Sequence, residues 1–356
     1  MSTQNVTWSV VIPTYKREQI LLKCLTFAAQ QTLPAKEIIV VDASPEWELT
    51  KKLVQQDLAR KYPKINWLYI QAAYASSATQ RNQGIKLSSA DIIFLIDDDS
   101  FMYPNCAKEV VSIYAQDTKR QVAGIMPKLE NLPPDVKISS SSAKSTLNFK
   151  NIAAKLRALA KKIIKDDDIF IPYDFYFIQY SLPSELKVAA HPVPMIHGAR
   201  MSYRKEVLQQ IKFEETLRRY AVNEDNDVCY RASRMGMLLH ALDAQIFHLQ
   251  DSSSRLSRFT TTALWGLNQT VLHRFHNHDI KRFKTIFRNL LWRRLFTQAI
   301  KDILDLRWSL PSMRGIWFVI RNYNQILLKT PEELRIWYPE FQQILLDKDL
   351  SSINSS

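Results

Sequence analysis

Four short apolar runs in the first hundred residues, Ser9–Pro13, Glu37–Asp42, Trp67–Gln71 and Asp91–Ile96, are separated by stretches of helical spacing, and this alternation constrains the chain more than any other feature. A strand apolar on both faces must be covered on both, and strand–helix–strand repetition supplies that cover as crossover helices. The spacing predicts helices over Glu18–Gln30, Leu49–Lys61, Ala78–Leu87 and Pro104–Gln116, and a short strand at Val122–Pro127. The expected class is α/β, with a Rossmann-like, mostly parallel central sheet and flanking helices. The six glycines form neither G-x-G-x-x-G nor G-x-x-x-x-G-K-[ST], so the usual dinucleotide and P-loop cradles are missing.

The pattern breaks at Pro133-Pro134 and Ser139–Ser142, a predicted loop. Lys150–Lys165 then sets Ile152, Leu156, Leu159 and Ile163 at helical spacing among lysines and arginines, which suits an anionic membrane surface or a helix docked on its own domain. From Phe259 onward the chain is helical in character, basic and aromatic. Lys281, Arg282, Lys284, Arg288, Arg293 and Arg294 interleave with Phe283, Phe287, Trp292 and Phe296. Such a surface suits phospholipid headgroups, and it equally suits a tail packed on the rest of the protein.

The formal charge of +13 favours an anionic partner: nucleic acid, an acidic membrane face or phosphorylated small molecules. Three distant cysteines, Cys24, Cys106 and Cys229, fit neither a disulfide framework nor a paired-cysteine zinc site, and point to a cytoplasmic setting. The first apolar run is too short for a signal peptide or a membrane span, and no later window is long and charge-free enough to cross a bilayer.

Asp97-Asp98-Asp99 follows the apolar strand Asp91–Ile96 directly. Three carboxylates at the carboxyl end of a buried strand repel one another unless a cation sits among them, and ligands of open α/β sheets bind at that edge. Hard oxygen ligands suit Mg²⁺ or Mn²⁺, and either ion would neutralise a diphosphate. A second triplet, Asp166-Asp167-Asp168, follows a basic helical pattern instead and reads as structural or solubilising.

Further segments join these: the run from Ser9 to Arg17 (SVVIPTYKR), Val41-Asp42-Ala43-Ser44, Arg81-Asn82-Gln83-Gly84 and the run from Phe94 to Asp99, then the run from His197 to Lys205, the run from Asn223 to Asp227, and Phe247-His248. In these segments, over residues 8–250, the chain resembles the family-2 inverting glycosyltransferases of GT-A fold, which use nucleotide-diphosphate sugars. That resemblance implies a catalytic domain over 1–258, composed of a nucleotide-sugar half (8–130), an insertion (131–192) and an acceptor half (193–258), followed by the helical region 259–356.

The resemblance implies a donor site of Pro13, Thr14, Tyr15, Arg17, Asp42, Arg81, Asp97 and Asp98, with Asp42 bonding the base. Metal ligation falls to Asp97, Asp99 and His248, with Mn²⁺ or Mg²⁺ as the cofactor. Asp225 takes the role of general base, and Glu224 holds the acceptor or tunes its neighbour; the residues alone do not say which of the two titrates. A guanidinium such as that of Arg81 suits a diphosphate, although a plain ion pair would also explain it. Thr14-Tyr15 fits an ordinary strand-to-helix turn, Glu224-Asp225 a helix N-terminus, and His248, which ends the apolar stretch Ala244–Phe247 before a polar loop from Asp251 to Arg255, a structural role. Gly198, Ala199 and Arg200 lie on the acceptor side, where the family often has asparagine in place of Arg200.

The implied partners are a nucleotide-diphosphate sugar and a saccharide or lipid-linked saccharide acceptor, at the inner face of a membrane, with no nucleic acid. Competing readings are a nucleotidyltransferase, a non-enzymatic nucleic-acid-binding protein, and a glycosyltransferase fold that has lost activity. The first lacks an early phosphate loop, and the second would bring phosphate to an acidic edge. The retained Asp97, Asp99 and Asp225 argue against the third.

Overall fold

The computed structural model describes residues 6–136, 170–219, 221–250 and 256–353, with side chains to residue 347. The Ser139–Ser142 loop, the basic pattern of Lys150–Lys165, Asp166-Asp167-Asp168 and the loop after Gln250 lie outside the described residues. The chain divides into two compact units, one of Met1–Val136 and Phe177–Arg255, the other of Lys137–Tyr176 and Leu256–Ser356.

Among the described residues the first unit holds a nine-stranded sheet. Strands β1 (Trp8–Thr14), β2 (Glu37–Asp42), β3 (Asn66–Gln71) and β4 (Ile92–Ile96) lie in the order β3-β2-β1-β4, all parallel. Every residue of β1, β2 and β4 is buried, as their unbroken apolar runs require. Cover comes from α1 (Glu18–Ala29), α2 (Trp47–Leu53) and α3 (Ser77–Leu87). Helix α1 turns Leu21, Cys24, Leu25 and Ala28 inward at 3.6-residue spacing. The predicted helix over Leu49–Lys61 becomes α2 continued by a wider π-helical segment, Val54–Ala59, which buries Val54 and Leu58.

Strand β5 (Ser100–Met102) leads into α4 (Cys106–Gln116), and β6 (Val122–Glu130) is longer than its apolar run. After β7 (Ala190–Pro192), β8 (Arg200–Arg204) inserts antiparallel between β4 and β6, α5 (Lys205–Gln210) and α6 (Glu224–Ser233) follow, and β9 (Met237–His248) closes the order β4-β8-β6-β9-β5. Strands β1, β2, β3, β4, β6 and β9 share one direction, so the sheet is mostly parallel, with flanking helices, as expected.

Pairing register decides what meets at the carboxyl edge. Thr14 stands beside Asp42 and Asp42 beside Gln71; Ile96, immediately before Asp97, pairs with Arg200; and Ser100, immediately after Asp99, pairs with His248. One edge therefore gathers segments from seven strands.

The second unit joins the C-terminal helices α7 (Arg258–His276), α8 (Ile280–Leu304), α9 (Pro311–Leu327) and α10 (Pro331–Ile353) to Lys137–Tyr176, a stretch that the sequence assigns to the insertion of the catalytic domain. Helices α7 and α9 approach closely because Gly266 has no side chain; a Cβ there would lie 2.7 Å from both Val319 methyls. Asp302 caps α9, accepting from Ser312 N–H at 2.7 Å, Met313 N–H at 3.1 Å and Ser312 Oγ–H at 2.9 Å. The aromatic and basic residues of α8 divide by face. Phe283 and Phe287 are fully buried, and Arg294 is also buried, its guanidinium 3.8 Å from the Trp265 ring centroid, so it is a core cation rather than a surface one.

Candidate functional site

The acidic triplet leaves β4 in three directions. Asp98 turns inward: its carboxylate accepts from Thr14 Oγ1–H at 2.7 Å and Arg17 NH1 at 3.0 Å, and burial pushes its pKa up to about 7 against the pull of Arg17. Asp97 is 30% exposed and accepts from Arg81 NH2 at 2.8 Å. Asp99 is buried, takes Arg17 NH1 at 3.5 Å, and lies 3.0 Å from His248 Nε2.

Strand pairing creates the last contact. The β5–β9 register brings His248 beside Ser100, and Leu249 N–H donates to the Asp99 carbonyl at 2.9 Å. The ligand atoms of Asp97, Asp99 and His248 all lie within 4.8 Å of one another. Two carboxylates and an imidazole are a donor set for a divalent ion such as Mn²⁺ or Mg²⁺. Asp97, Asp98, Asp99, Glu224 and Asp225 converge here; Arg17 and Arg81 pair with four of them, and a cation suits the remaining negative charge.

Arg81 sits on α3 and is buried, ion-paired to Glu224 through NH1 and to Asp97 through NH2, with its guanidinium 5.5 Å from the Phe213 ring centroid. It is thus a strut between the triplet and the start of α6. Glu224 is buried too, and burial raises its pKa to about 7 although Arg81 opposes the shift. Asp225, one residue later, is half-buried and meets backbone: Gly198 N–H donates to Oδ2 at 3.1 Å and Asn226 N–H to Oδ1 at 2.9 Å. The acidic pair therefore splits into an enclosed, ion-paired Glu224 and a more accessible Asp225.

At the opposite end of the edge, Asp42 is buried and accepts from Ser44 N–H at 2.7 Å and Tyr69 Oη–H at 2.5 Å. Pro13 and Thr14 are buried, while Tyr15 is half-buried with Lys16 Nζ 5.4 Å and the Arg219 guanidinium 5.7 Å from its ring centroid. On the acceptor side, the Ala199 carbonyl accepts from Ser100 Oγ–H at 2.8 Å. Arg200 NH1 donates to the Pro127 carbonyl at 2.6 Å, and burial pulls its pKa below the ordinary value.

Two residues escaped the sequence reading. Gln80 is buried and its Nε2 donates to the carbonyls of Thr14 (2.9 Å) and Val41 (2.7 Å), stapling the ends of β1 and β2 together. Arg219 reaches Tyr15 because Arg219 N–H donates to Ala75 O at 3.0 Å and Ser77 N–H to Arg219 O at 3.1 Å. Neither has a local signal, since both act across long sequence separations.

Comparison with known proteins gives the family. The family model for glycosyl transferase family 2 matches residues 9–212. Hyaluronan synthase of Pasteurella multocida is 23% identical over 302 residues, covering 81% of this chain and 28% of its own length. The putative colanic acid biosynthesis glycosyl transferase WcaA of Escherichia coli (strain K12) is 32% identical over 102 residues, 28% of this chain and 35% of its own length. The chain thus spans about a third of the length of these relatives, or less. Among solved structures, the mannosyltransferase PcManGT from Pyrobaculum calidifontis, in complex with GDP-Man and Mn²⁺, is 13% identical, covers 96% of this chain and 86% of its own, and superposes with a TM-score of 0.48.

Proposed function

The chain belongs to glycosyl transferase family 2, and from that premise we propose that it catalyses an inverting transfer of a sugar from a UDP- or dTDP-sugar to an acceptor hydroxyl, in the biosynthesis of a cell-surface polysaccharide or glycolipid. The observation that carries this reading is the meeting of Asp97, Asp99 and His248 at the carboxyl edge of the sheet. Family membership favours it over a nucleotidyltransferase or a nucleic-acid-binding protein.

In this reading the nucleotide lies along the ends of β1 and β2, near Pro13, Thr14, Tyr15, Arg17 and Asp42, with Asp98 bracing Thr14 and Arg17 from beneath. Arg81 holds Asp97 in place toward the diphosphate. An Mn²⁺ or Mg²⁺ ion held by Asp97, Asp99 and His248 would supply positive charge to the departing diphosphate. Asp225 removes the acceptor proton as that oxygen bonds the anomeric carbon, and the electrons of the breaking bond leave with the diphosphate. Its accessibility beside the buried Glu224 supports this assignment. Gly198, Ala199 and Arg200 border the acceptor.

We place the reaction at the cytoplasmic face of a membrane, with a lipid-linked saccharide as acceptor. The formal charge of +13 supports that placement. The test is a panel of nucleotide sugars assayed with Mn²⁺ for binding and for release of nucleoside diphosphate. One donor should bind and turn over with metal and fail with chelator. No binding of any sugar nucleotide in the presence of metal would overturn the reading.

A further inference from the structure

The second unit exposes large apolar side chains that its own folding does not use. On α8, Trp292, Phe296, Ile300 and Ile303 recur at steps of four, four and three residues, all of them exposed, with Phe296 at 65%. That spacing sets them on one face of the helix. Just past the helix end, Leu306 and Trp308 are exposed too, the latter 73%. Helix α9 extends the α8 face sideways: exposed Trp317 has its ring centroid 6.3 Å from that of Trp292. Five exposed large apolar residues on one surface, Trp292, Phe296, Ile300, Ile303 and Trp317, exceed the scattered exposure usual on a soluble surface.

The charge around this face has one sign. Residues 281–330 carry eleven Lys or Arg against two acids, Asp302 and Asp305. Asp302 is buried as the cap of α9, and Asp305 is paired with Arg307 at 2.7 Å. Arg288 stands one turn before Trp292, and Arg293 lies next to it; both are exposed. On α9, Arg314 and Arg321 are exposed and lie three residues before and four after Trp317, on the same face. Amphipathic aromatic rings ringed by cations match the boundary between acyl chains and anionic headgroups. Among the described residues no helix is long and apolar enough to cross a membrane.

We propose that the Trp292–Ile303 face of α8, with Trp317, lies in the headgroup layer of an anionic membrane and docks the protein there in a monotopic manner. The inference rests on the membrane placement given above and specifies the surface that achieves it. Arg294, buried against Trp265, takes no part; Arg288, Arg293, Arg314 and Arg321 supply the headgroup contacts.

The test is cosedimentation of the full chain with vesicles of phosphatidylcholine containing phosphatidylglycerol, with tryptophan quenching by brominated lipid as a second readout. The native chain should bind these vesicles at least about tenfold more tightly than pure phosphatidylcholine ones, and quenching should occur. The W292S/F296S variant should lose binding by a similar factor, with unchanged circular dichroism and unchanged donor turnover on a soluble saccharide acceptor. Binding that W292S/F296S leaves intact would overturn this surface while sparing the membrane placement. Absence of binding by the native chain would overturn both. A concentration-dependent dimer abolished by W292S/F296S, without vesicle binding, would assign the face to a second copy and likewise overturn the proposal. None of these outcomes bears on sugar transfer itself, which the donor panel reads separately.

Discussion

The backbone N–H of Gly198 donates to Asp225 Oδ2 at 3.1 Å, and a Cβ built at position 198 would stand 2.8 Å from that same oxygen. The proposed base is therefore held by a residue whose lack of a side chain makes room for it. Gly198→Ala should force Asp225 to move, lowering kcat about tenfold to a hundredfold while nucleotide affinity changes little. Steady-state kinetics beside a nucleotide titration checks this; an unchanged kcat would remove Asp225 from the proposed role.

The two neighbouring carboxylates should separate cleanly. Asp225→Asn should cut transfer by roughly two to four orders of magnitude, as loss of a general base does. Glu224→Gln should retain much of the activity and cost less stability than Glu224→Ala, because the amide keeps the shape of the side chain and an oxygen that accepts from Arg81 NH1. Glu224→Ala, by contrast, deprives buried Arg81 of a partner and should cost on the order of 3 kcal/mol in urea unfolding.

Metal dependence should follow the ligand set. Chelation should abolish donor turnover, and Asp99→Ala should remove Mn²⁺ binding as read by the electron paramagnetic resonance of free Mn²⁺. His248→Gln should weaken the ion about tenfold or more, with the sheet intact. Equal Mn²⁺ affinity in all three proteins would eliminate these residues as ligands.

His273 gives the helical unit a pH dependence. It is buried, its Nε2–H donates to the Ile171 carbonyl at 2.9 Å, and its Nδ1 accepts from Asn277 Nδ2–H at 2.9 Å, so both ring nitrogens are satisfied in the neutral form. Burial lowers its pKa to about 3. A depressed folded pKa means that protons bind the unfolded chain first: this stabilisation is present above the unfolded value near 6.5 and is lost as pH falls toward about 3. The loss should be on the order of 1 kcal/mol per pH unit below about pH 6.5, and His273→Gln should flatten that slope in urea unfolding between pH 7 and pH 5.

Much of the fold was legible because its elements are local. Strands β1, β2 and β4 are buried on both faces and show it as unbroken apolar runs, and α1 shows its buried stripe at every third or fourth position. Strand β9 was only partly legible, as Ala244–Phe247. Its earlier half carries His240, Leu242 and Asp243, and its partner β6 slips register between Pro127 and Lys128, so neither period two nor a solid apolar run marks it. Strand β8 left no signal because its place between β4 and β6 is a long-range choice.

The sequence by itself determined the α/β class, the helical C-terminal region and the residues to watch: an acidic triplet after a buried strand, an acidic pair opening a helix, and a histidine ending an apolar stretch. These follow from local periodicity and charge, which need only neighbouring residues. Tertiary structure alone decided what each does to the others. It turned Asp98 inward to Thr14 and Arg17, made Arg81 a strut between Asp97 and Glu224, enclosed Glu224 while leaving Asp225 accessible, and drew His248 across from a distant strand to Asp99. The physical reason is that hydrogen bonds and ion pairs depend on separations of a few ångströms, and pairing register and burial, which arise only when the sheet closes, set those separations.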